Sequence, residues 1–310
     1  MSLFPRPILT NGATHSAQQF RMLVRDLARG NEGVTEGDDL KVSQRSTPGG
    51  GVLIGDGSAV IKGRDDPFQG HYAVCNIGAV DWDIAPATTP RSDMLIIRIN
   101  DPEYGGGLDP AVDDIVYPEV ISGVSSSATA IPDGRTGIPL ARIDIPASTG
   151  TITDAMITDL RSIANPRRQR TLLTQSPTGL STDISGTSGT FSNFSTAAGW
   201  PVAIPGWATK AIMSLSVGQI RYNTAAFFGG LRATLGSSVT VQPVNLDDNS
   251  SGTRRGTIVL GDTITLPWLY RTTTQTLRFQ AAGYTGNSGK VGVDASTTLV
   301  ADIEFIEAPW

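Results

Sequence analysis

Short apolar segments separated by turn residues recur along most of this 310-residue chain, and they constrain its fold more than any other feature. Turn signals such as Gly55-Asp56-Gly57 and Pro132-Asp133-Gly134 divide them. Eight short strands at this spacing are typical of a sandwich or barrel and not of a parallel α/β sheet. The predicted strands are Leu40–Val42, Gly51–Ile54, Ala59–Lys62, Tyr72–Asn76, Val80–Ile84, Met94–Ile99, Val116–Ser122 and Leu140–Ile145.

Residues 180–310 repeat the pattern. In the last segment four apolar residues, from Leu299 to Phe305, alternate with polar ones, as expected for a strand with one dry and one wet face. This part of the chain therefore predicts an antiparallel β-sandwich, jelly-roll-like in arrangement. The predicted strands are Ala211–Val217, Ile220–Tyr222, Gly229–Leu235, Val239–Val244, Arg255–Leu260, Asp262–Leu266, Thr276–Ala281, Lys290–Asp294 and Thr297–Phe305.

One strong helix candidate begins near Ser16 and runs to about Arg29. Ser16 is a favourable N-cap, and Gly30 provides a C-terminal stop. Apolar side chains recur at three- and four-residue spacing and form one face. They are Phe20, Leu23, Val24 and Leu27. We expect this face to cover a sheet or to pack around a symmetry axis.

The pattern of strands breaks between residues 166 and 179, which predicts a linker between an N-terminal domain, residues 1–165, and a C-terminal head, residues 180–310. Pro166 stops the preceding turn, and no periodic apolar face follows it. Three arginines, Arg167, Arg168 and Arg170, lie in this segment. They either contact an acidic surface on a neighbouring protein or are solvated. The chain is thus predicted to be mainly β, with an N-terminal helix, a sandwich or barrel-like first domain and a second β domain.

Charge and hydropathy exclude several classes of function. Residues 1–170 contain 16 Lys and Arg against 21 Asp and Glu, residues 171–310 contain 8 of each, and the net charge is −5. No basic face accumulates, so we expect no nucleic-acid partner. The apolar runs are far shorter than the ~20 residues that span a bilayer, and the N-terminus lacks a signal-peptide pattern. The single cysteine, Cys75, is interpreted as a small packing residue in a strand, which fits synthesis in a reducing cytoplasm.

The sequence offers little material for catalysis, so we expect no enzyme and no cofactor or metal. Only two histidines, His15 and His71, are present, and neither adjoins a nucleophile elbow or a phosphate-binding loop. His71 with Cys75 lacks the second ligand pair of a zinc site. Three pairs of adjacent acids lie in turns, where aspartates cap backbone amides. Paired acids also catalyse glycan hydrolysis, which is the alternative interpretation. Residues 247–252 resemble a calcium-binding loop in part. The pairs are Asp65-Asp66, Asp113-Asp114 and Asp247-Asp248.

Aromatic residues of the C-terminal half are the candidate binding residues. Aromatic rings in loops stack on sugar rings while nearby polar groups bind hydroxyls, which suggests a shallow glycan site. The alternative is that these rings fill the core or a subunit interface. The candidates are Trp200, Trp207, Tyr222, Trp268 and Tyr270.

Three linked phrases between residues 90 and 161 resemble a known family. The first contains Pro90, Arg91, Asp93 and Arg98, and the second runs from Ile138 to Ser148. The third phrase contains Ile152, Thr153, Ile157, Asp159 and Arg161. With upstream phrases at residues 16–34, 39–44 and 72–87, residues 10–165 resemble the N-terminal adaptor domain of phage upper-baseplate and tail proteins. Residues 230–236 and 296–305 resemble, less closely, the C-terminal head modules of actinobacteriophage minor tail proteins.

The resemblance implies a structural role in a virion, at the tail tip or baseplate, after synthesis in the host cytoplasm. Members of such families are usually homotrimers, and residues 1–165 are expected to bind other tail proteins. The head is then expected to bind a host receptor, with a cell-surface glycan as the candidate ligand. One alternative is a purely structural adaptor that holds another tail fibre protein. An alternative from another class is a depolymerase of surface polysaccharide.

Overall fold

The computed structural model describes residues 10–195 and 199–310, and it divides the chain into two compact units. Unit 1 is Met1–Pro166 with Pro309–Trp310, and unit 2 is Arg167–Ala308. The described residues are mainly β with an N-terminal helix, which confirms the predicted fold class. Residues 1–9, where the sequence predicts no signal peptide, lie outside the described part.

Unit 1 consists of a helix and three antiparallel sheets among its described residues. The sheets have the strand orders β1-β4-β5, β2-β3-β6 and β10-β9-β7-β8. Short 3₁₀ turns occur at Pro102–Tyr104 and Asp154–Met156. The elements are α1 (Ala17–Leu27), β1 (Gly33–Val34), β2 (Val42–Gly49), β3 (Gly51–Ile54), β4 (Gly57–Lys62), β5 (His71–Asn76), β6 (Val80–Asp83), β7 (Arg91–Ile99), β8 (Val116–Val124), β9 (Gly137–Ile145) and β10 (Ile157–Asp159).

Helix α1 begins with the predicted cap. The Ser16 hydroxyl accepts a hydrogen bond from the Gln19 backbone N–H, and the Gln19 side chain accepts one from the Ser16 N–H, which is a capping box. The helix ends at Leu27, slightly earlier than predicted, because Arg29 and Gly30 both adopt left-handed φ angles of 57° and 78°.

Helix α1 packs beside β5, and its apolar face is only partly covered. Gln19 and Arg21 are its buried residues. Leu23 and Val24 of the apolar face are half-buried, whereas Phe20 and Leu27 are exposed, Leu27 to 71%. The expected cover of a sheet is thus partial, and a network of polar contacts satisfies the buried Arg21.

The three motif phrases of unit 1 form its core and its internal ties. Strand β7 lies in the centre of a four-stranded sheet, and its Asp93 is fully buried. Arg91 Nε donates to both carboxylate oxygens of Asp93 at 3.1 and 2.9 Å, and the Gly123 N–H donates to it at 3.0 Å. Arg161 pairs with Asp159 at 2.8 Å and donates to the Asp39 carbonyl. These residues of the first and third phrases thus tie segments of unit 1 to one another.

Unit 2 is a sandwich of two antiparallel sheets. Its strands are β11 (Arg168–Gln175), β12 (Ser192–Asn193), β13 (Trp200–Ala203), β14 (Lys210–Asn223), β15 (Phe227–Leu235), β16 (Val239–Thr240), β17 (Val244–Asp248), β18 (Arg254–Thr265), β19 (Thr274–Gly283), β20 (Lys290–Gly292) and β21 (Thr298–Ile306). One sheet has the order β11-β21-β14-β18, and β20 also pairs with β14. The other contains the order β13-β19-β15-β17, with β12 and β16 beside β19 and β15.

The strand order of unit 2 is that of a jelly roll. The eight principal strands are β11, β13, β14, β15, β17, β18, β19 and β21. Numbered one to eight along the chain, they form the sheets 1-8-3-6 and 2-7-4-5, in which each pair of successive strands except the fourth and fifth crosses between sheets. This is the double Greek key arrangement, and its apolar inner faces make one continuous core.

The predicted linker contains an edge strand. Residues 168–175 form β11 and pair with β21 along their whole length, so only part of residues 166–179 connects the units. The three arginines pair with acids of their own unit: Arg167 with Glu307, Arg168 with Glu304 and Arg170 with Asp302. The three arginine side chains remain 45% to 71% exposed, so they are solvated as one of the two alternatives expected, and they also pair with acids of their own sheet.

Candidate functional site

Three of the five predicted aromatic residues lie in the core of unit 2. Trp200, Tyr222 and Tyr270 are buried. Trp200 packs edge-on against Phe279, with ring centroids 6.0 Å apart, and Tyr222 packs against Phe227 at 6.1 Å. Burial leaves these three rings no free face on which a sugar could stack.

Tyr270 fastens a turn. Its hydroxyl oxygen accepts hydrogen bonds from the backbone N–H groups of Ser237 and Ser238, both at 2.9 Å, and lies 2.7 Å from the Ser238 hydroxyl. Burial alone would raise the pKa of the Tyr270 phenol, but the hydrogen bonds from Ser238 and Ser237 hold this pKa below its ordinary value. The residue therefore has a structural role.

The other two predicted residues lie at one end of the sandwich. Trp207 is partly buried against the core, and the Arg167 guanidinium lies 5.7 Å from the centroid of its ring. Trp268 is 68% exposed on a short 3₁₀ turn, Trp268–Tyr270. Backbone hydrogen bonds link Thr209, two residues after Trp207, to Leu266, two residues before Trp268, and to Ile306. Trp207 and Trp268 therefore both lie near the point where β11 begins and β21 ends. The structure does not bring the five residues into one site.

A different aromatic cluster lies on the outer face of the second sheet. It consists of Phe191, Phe228 and Tyr284, which we call the aromatic cluster. Tyr284 contacts Phe191 and Phe228 edge-on, with centroid distances of 6.5 and 5.8 Å. Phe228 is exposed and the other two rings are half-buried. Gly230 lies beneath Tyr284, where a Cβ would lie 2.2 Å from the Tyr284 hydroxyl oxygen, so any side chain there would displace the ring.

Polar side chains with fixed positions border the aromatic cluster. The Arg232 guanidinium lies 4.2 Å from the Phe191 centroid. Arg232 Nε donates to Gln280 Oε1 at 2.8 Å, and Gln280 Nε2 donates to Asn193 Oδ1 at 3.0 Å. This chain of contacts places donors and acceptors beside exposed rings, the combination by which proteins bind sugar hydroxyls and sugar faces.

The loop that carries Tyr284 is held by Asn287. Asn287 Oδ1 accepts from the Phe228 N–H at 3.0 Å, and its Nδ2 donates to the Gly186 carbonyl at 2.9 Å. The aromatic cluster is thus braced on both sides. Sequence reasoning missed it because its rings come from three distant segments, although adjacent Phe227 and Phe228 must face opposite sides of a strand, which was a usable signal.

A polar cluster in unit 1 surrounds Arg21. Arg21 Nε donates to the Gln69 carbonyl at 2.8 Å, and its guanidinium forms ion pairs with Asp101 and Glu103. The Tyr72 hydroxyl donates to Asp101 at 2.7 Å. Burial, and then the hydrogen bond to this carboxylate, raises the pKa of Tyr72 well above its ordinary value. The cluster fixes the position of α1 beside β5.

A groove of about 630 Å³ runs beside α1 in unit 1. Phe20 and Val24 line it from the helix, and Pro110 and Ile115 line it from a loop. His71 also lines the groove and is buried, with no hydrogen-bond partner for either ring nitrogen among the described residues. An apolar groove beside an exposed apolar helix face suits a protein partner more than a small polar ligand.

The remaining candidates of the sequence occupy ordinary structural positions. Cys75 is exposed on edge strand β5, so its interpretation as a packing residue is wrong. Asp66, Asp113 and Asp248 each accept a backbone N–H in their turns. No group of three metal-binding side chains was found among residues 10–195 and 199–310. In the same residues no helix is long and apolar enough to cross a membrane.

Comparisons with known proteins place the chain in no family. No family model matches it, and no curated protein matches it. Solved particles of infectious bursal disease virus align with this chain at low similarity. The VP2 subviral particle is 13% identical with a TM-score of 0.26, covering 93% of this chain and 84% of that one. The Gx strain structure is 11% identical with a TM-score of 0.25, covering 89% and 74%. At these scores the likeness carries no argument about function.

Proposed function

We propose that this chain is a structural protein of a phage virion, at the tail tip or baseplate, in which unit 1 attaches to the tail and unit 2 binds the host surface. One observation carries the proposal: the motif phrases that resemble baseplate adaptor domains lie within unit 1 and include two of its ion pairs, Arg91 with Asp93 and Arg161 with Asp159, each with one fully buried partner. The groove beside α1 supports attachment because it offers an apolar surface to another tail protein.

The host-binding part of the proposal rests on the aromatic cluster. We assign the glycan-binding role to Phe191, Phe228 and Tyr284 with Arg232, in place of the buried aromatic residues. Stacking on an exposed ring contributes on the order of 1 kcal/mol, so a single shallow site binds weakly. A homotrimer, as the resemblance implies, would display three such sites and raise the overall affinity by avidity.

A specific observation favours the second candidate, an adaptor that holds another fibre protein. Trp268 and Leu269 are adjacent and exposed to 68% and 64%. Exposed Trp side chains on a rigid turn are typical of the central contacts of protein interfaces. In this version unit 2 would bind its fibre partner through Trp268 and Leu269, and the aromatic cluster would be dispensable.

The two candidates are separated by binding of the full chain to bacterial cells and purified cell-wall glycans. Proteomics of purified virions first tests whether the chain is a virion component. The host-binding version predicts that Phe228→Ala abolishes sedimentation with cells of the phage host while Trp268→Ala retains it. Loss in Trp268→Ala alone, together with capture of a tail protein by the wild type, supports the adaptor. Absence of wild-type binding to host cells contradicts the host-binding role.

A further inference from the structure

Two arginines of unit 2, Arg232 and Arg278, form no ion pair with an acid among the described residues, and residues 1–9 and 196–198 contain no Asp or Glu that could supply one. Six other arginines of the same unit each form an ion pair with an acid of that unit. They are Arg167, Arg168, Arg170, Arg221, Arg254 and Arg255. Arg232 and Arg278 therefore depart from the charge pairing of their surroundings.

The strand register makes these two arginines neighbours on the outer face of the second sheet. Arg232 of β15 is opposite Gln280, and Arg278 of β19 is opposite Thr234. All four residues alternate with buried ones, so they share the outward face and the two arginines occupy diagonal positions. The Cα atoms of diagonal neighbours lie ~7–8 Å apart. Two like charges at this spacing repel each other, and an anion bound between them removes the repulsion.

The guanidinium of Arg232 is held in a fixed orientation. It lies 4.2 Å from the Phe191 ring centroid, and its Nε donates to Gln280 Oε1 at 2.8 Å. Gln280 is fixed in turn, because its Nε2 donates to Asn193 Oδ1 at 3.0 Å. The two terminal nitrogens of Arg232 donate no hydrogen bond within the part of the chain that the structure describes. A guanidinium held in this way presents two parallel N–H donors, the arrangement that binds a carboxylate or a phosphate through two oxygens.

The aromatic cluster continues directly to Arg232. Phe228 contacts Tyr284, Tyr284 contacts Phe191, and Phe191 contacts the Arg232 guanidinium. The Tyr284 hydroxyl lies over Gly230, which is midway between Phe228 and Arg232 on β15. The four residues from Phe228 to Arg232 cover about 13 Å at ~3.3 Å each. A ligand that follows this track meets aromatic rings first and the two arginines at its end.

The charges along this track have a direction. Among the outward residues that the register gives for β15, β17 and β19, the acid is Asp247, which is opposite Phe228. Asp247 therefore lies at the end of the track remote from Arg232 and Arg278. Asn245, opposite Gly230, is uncharged. An acidic ligand is thus attracted to the arginine end and repelled from the Phe228 end.

We propose that the aromatic cluster binds an acidic glycan, one whose sugars carry a carboxylate or a phosphate. The sugar rings lie on Phe228 and Tyr284, and the oxyanion binds between Arg232 and Arg278. Uronic sugars and sugar phosphates share this chemistry, and the experiments below distinguish them. The inference rests on the glycan-binding function proposed above, names the class of glycan and adds Arg278 to the site.

The first test uses small probes and requires no knowledge of the host. Galacturonate, its neutral methyl ester and inorganic phosphate are titrated into the full chain, and the nuclear magnetic resonance signal of the Arg232 Nε–H is followed. Galacturonate and phosphate should shift this signal, and the methyl ester should not. The Nε–H signal of Arg170, which already donates to Asp302, is the internal control and should not move. A shift with one anion alone identifies the oxyanion, and no shift with either anion at millimolar concentration overturns the anion site.

The second test measures binding of the full chain to polysaccharide purified from host cells, before and after its charges are removed. Carbodiimide-activated borohydride reduction converts carboxylates to alcohols, and hydrofluoric acid cleaves phosphate esters. Loss of binding after the first treatment identifies a carboxylate, and loss after the second identifies a phosphate. Retention of binding after both treatments overturns the acidic class and leaves the glycan-binding function intact. Absence of binding to the untreated polysaccharide, with a shift in the first test, overturns the host-glycan function and leaves the anion site intact.

Substitutions separate the cations from the rings. Arg232→Met should raise the dissociation constant for the untreated polysaccharide by a factor on the order of 10 to 100, because it removes hydrogen bonds to a charged group. Arg278→Met should raise it by a smaller factor, because Arg278 is exposed to solvent. The matched control is Arg170→Met, which removes an exposed arginine of the other sheet and should bind like the wild type.

Two further variants keep the test decisive. Arg232→Lys retains the charge and the stem that covers Phe191 but loses the planar pair of donors, so its binding should be intermediate. Phe228→Ala should weaken binding of the untreated and the neutralised polysaccharide alike, because it removes stacking and leaves both cations in place. Equal affinity of the wild type and Arg232→Met for the untreated polysaccharide overturns the proposal.

Discussion

Removal of Arg91 should destabilise unit 1 severely, because it leaves a buried carboxylate without its cation. Asp93 is fully buried, and its charged partners among the described residues are the two contacts from Arg91 Nε; its further hydrogen bond comes from the Gly123 N–H. Loss of one partner of a buried ion pair costs about 3–5 kcal/mol. Arg91→Met should lower the free energy of opening of unit 1 by that amount.

The matched control is Arg98→Met on the same strand. Arg98 pairs with Glu119 at 3.0 Å, but both side chains reach solvent, so this pair contributes about 0–1 kcal/mol. Amide hydrogen exchange followed by mass spectrometry reports the two units separately through their own peptides. Peptides from β7 should exchange faster in Arg91→Met by a factor on the order of 100 to 5,000, and peptides from unit 2 should not change.

A double variant tests whether the lost stability comes from the uncompensated charge of Asp93. In Arg91→Met with Asp93→Leu neither charge remains, so much of the lost stability should return. Equal, small effects of Arg91→Met and Arg98→Met would refute the reasoning, since burial would then not decide the cost. Failure of the double variant to recover any stability would show that the hydrogen bond from Gly123, and not the ion pair, matters most.

Three further predictions concern unit 2. Tyr270→Phe removes the acceptor of the Ser237 and Ser238 turn and should cost about 1–3 kcal/mol in thermal unfolding, whereas exposed Trp268→Ala should cost far less. The hydrogen bond from Arg255 lowers the pKa of Asp294 below the ordinary 3.8 of an aspartate. The ionised Asp294 therefore stabilises the folded protein above pH 3.8, and this stabilisation is lost as the pH falls through the folded pKa. Wild type and Asp294→Asn should thus differ in urea midpoint at pH 7 and converge in strong acid; a constant difference contradicts the assignment. Gly230→Val should displace the Tyr284 ring, visible as a loss of near-ultraviolet circular dichroism, and an unchanged spectrum would contradict the proposed packing.

The fold was largely predictable because most strands alternate or are wholly apolar. The run Leu299 to Phe305 shows the alternation that the burial of β21 confirms. The edge strand β11 was not predictable in this way, since its Leu172 points to solvent and its arginines resemble linker charge. Pairing with β21, 130 residues away, decides its structure. Local sequence contains no information about that register.

The candidate site was predicted less well, for a related reason. The spacing of apolar residues identified the amphipathic pattern of α1 but not the burial of Arg21, because Arg21 is satisfied by Asp101 and Glu103, about 80 residues distant. Trp200 and Tyr222 lie within strands, where alternate residues face opposite sides of the sheet. Their burial therefore depends on which alternate residues of each strand face the core. Tyr284 and Phe228 meet only because Gly229 is opposite Gly283 in the sheet.

Direct localisation in virions tests the central proposal most directly. Antibodies against this chain, coupled to gold, should label the tail tip or baseplate of intact particles in electron micrographs, and antibodies against unit 2 should block adsorption to host cells. Label distributed over the capsid, or its absence from purified virions, would contradict the account.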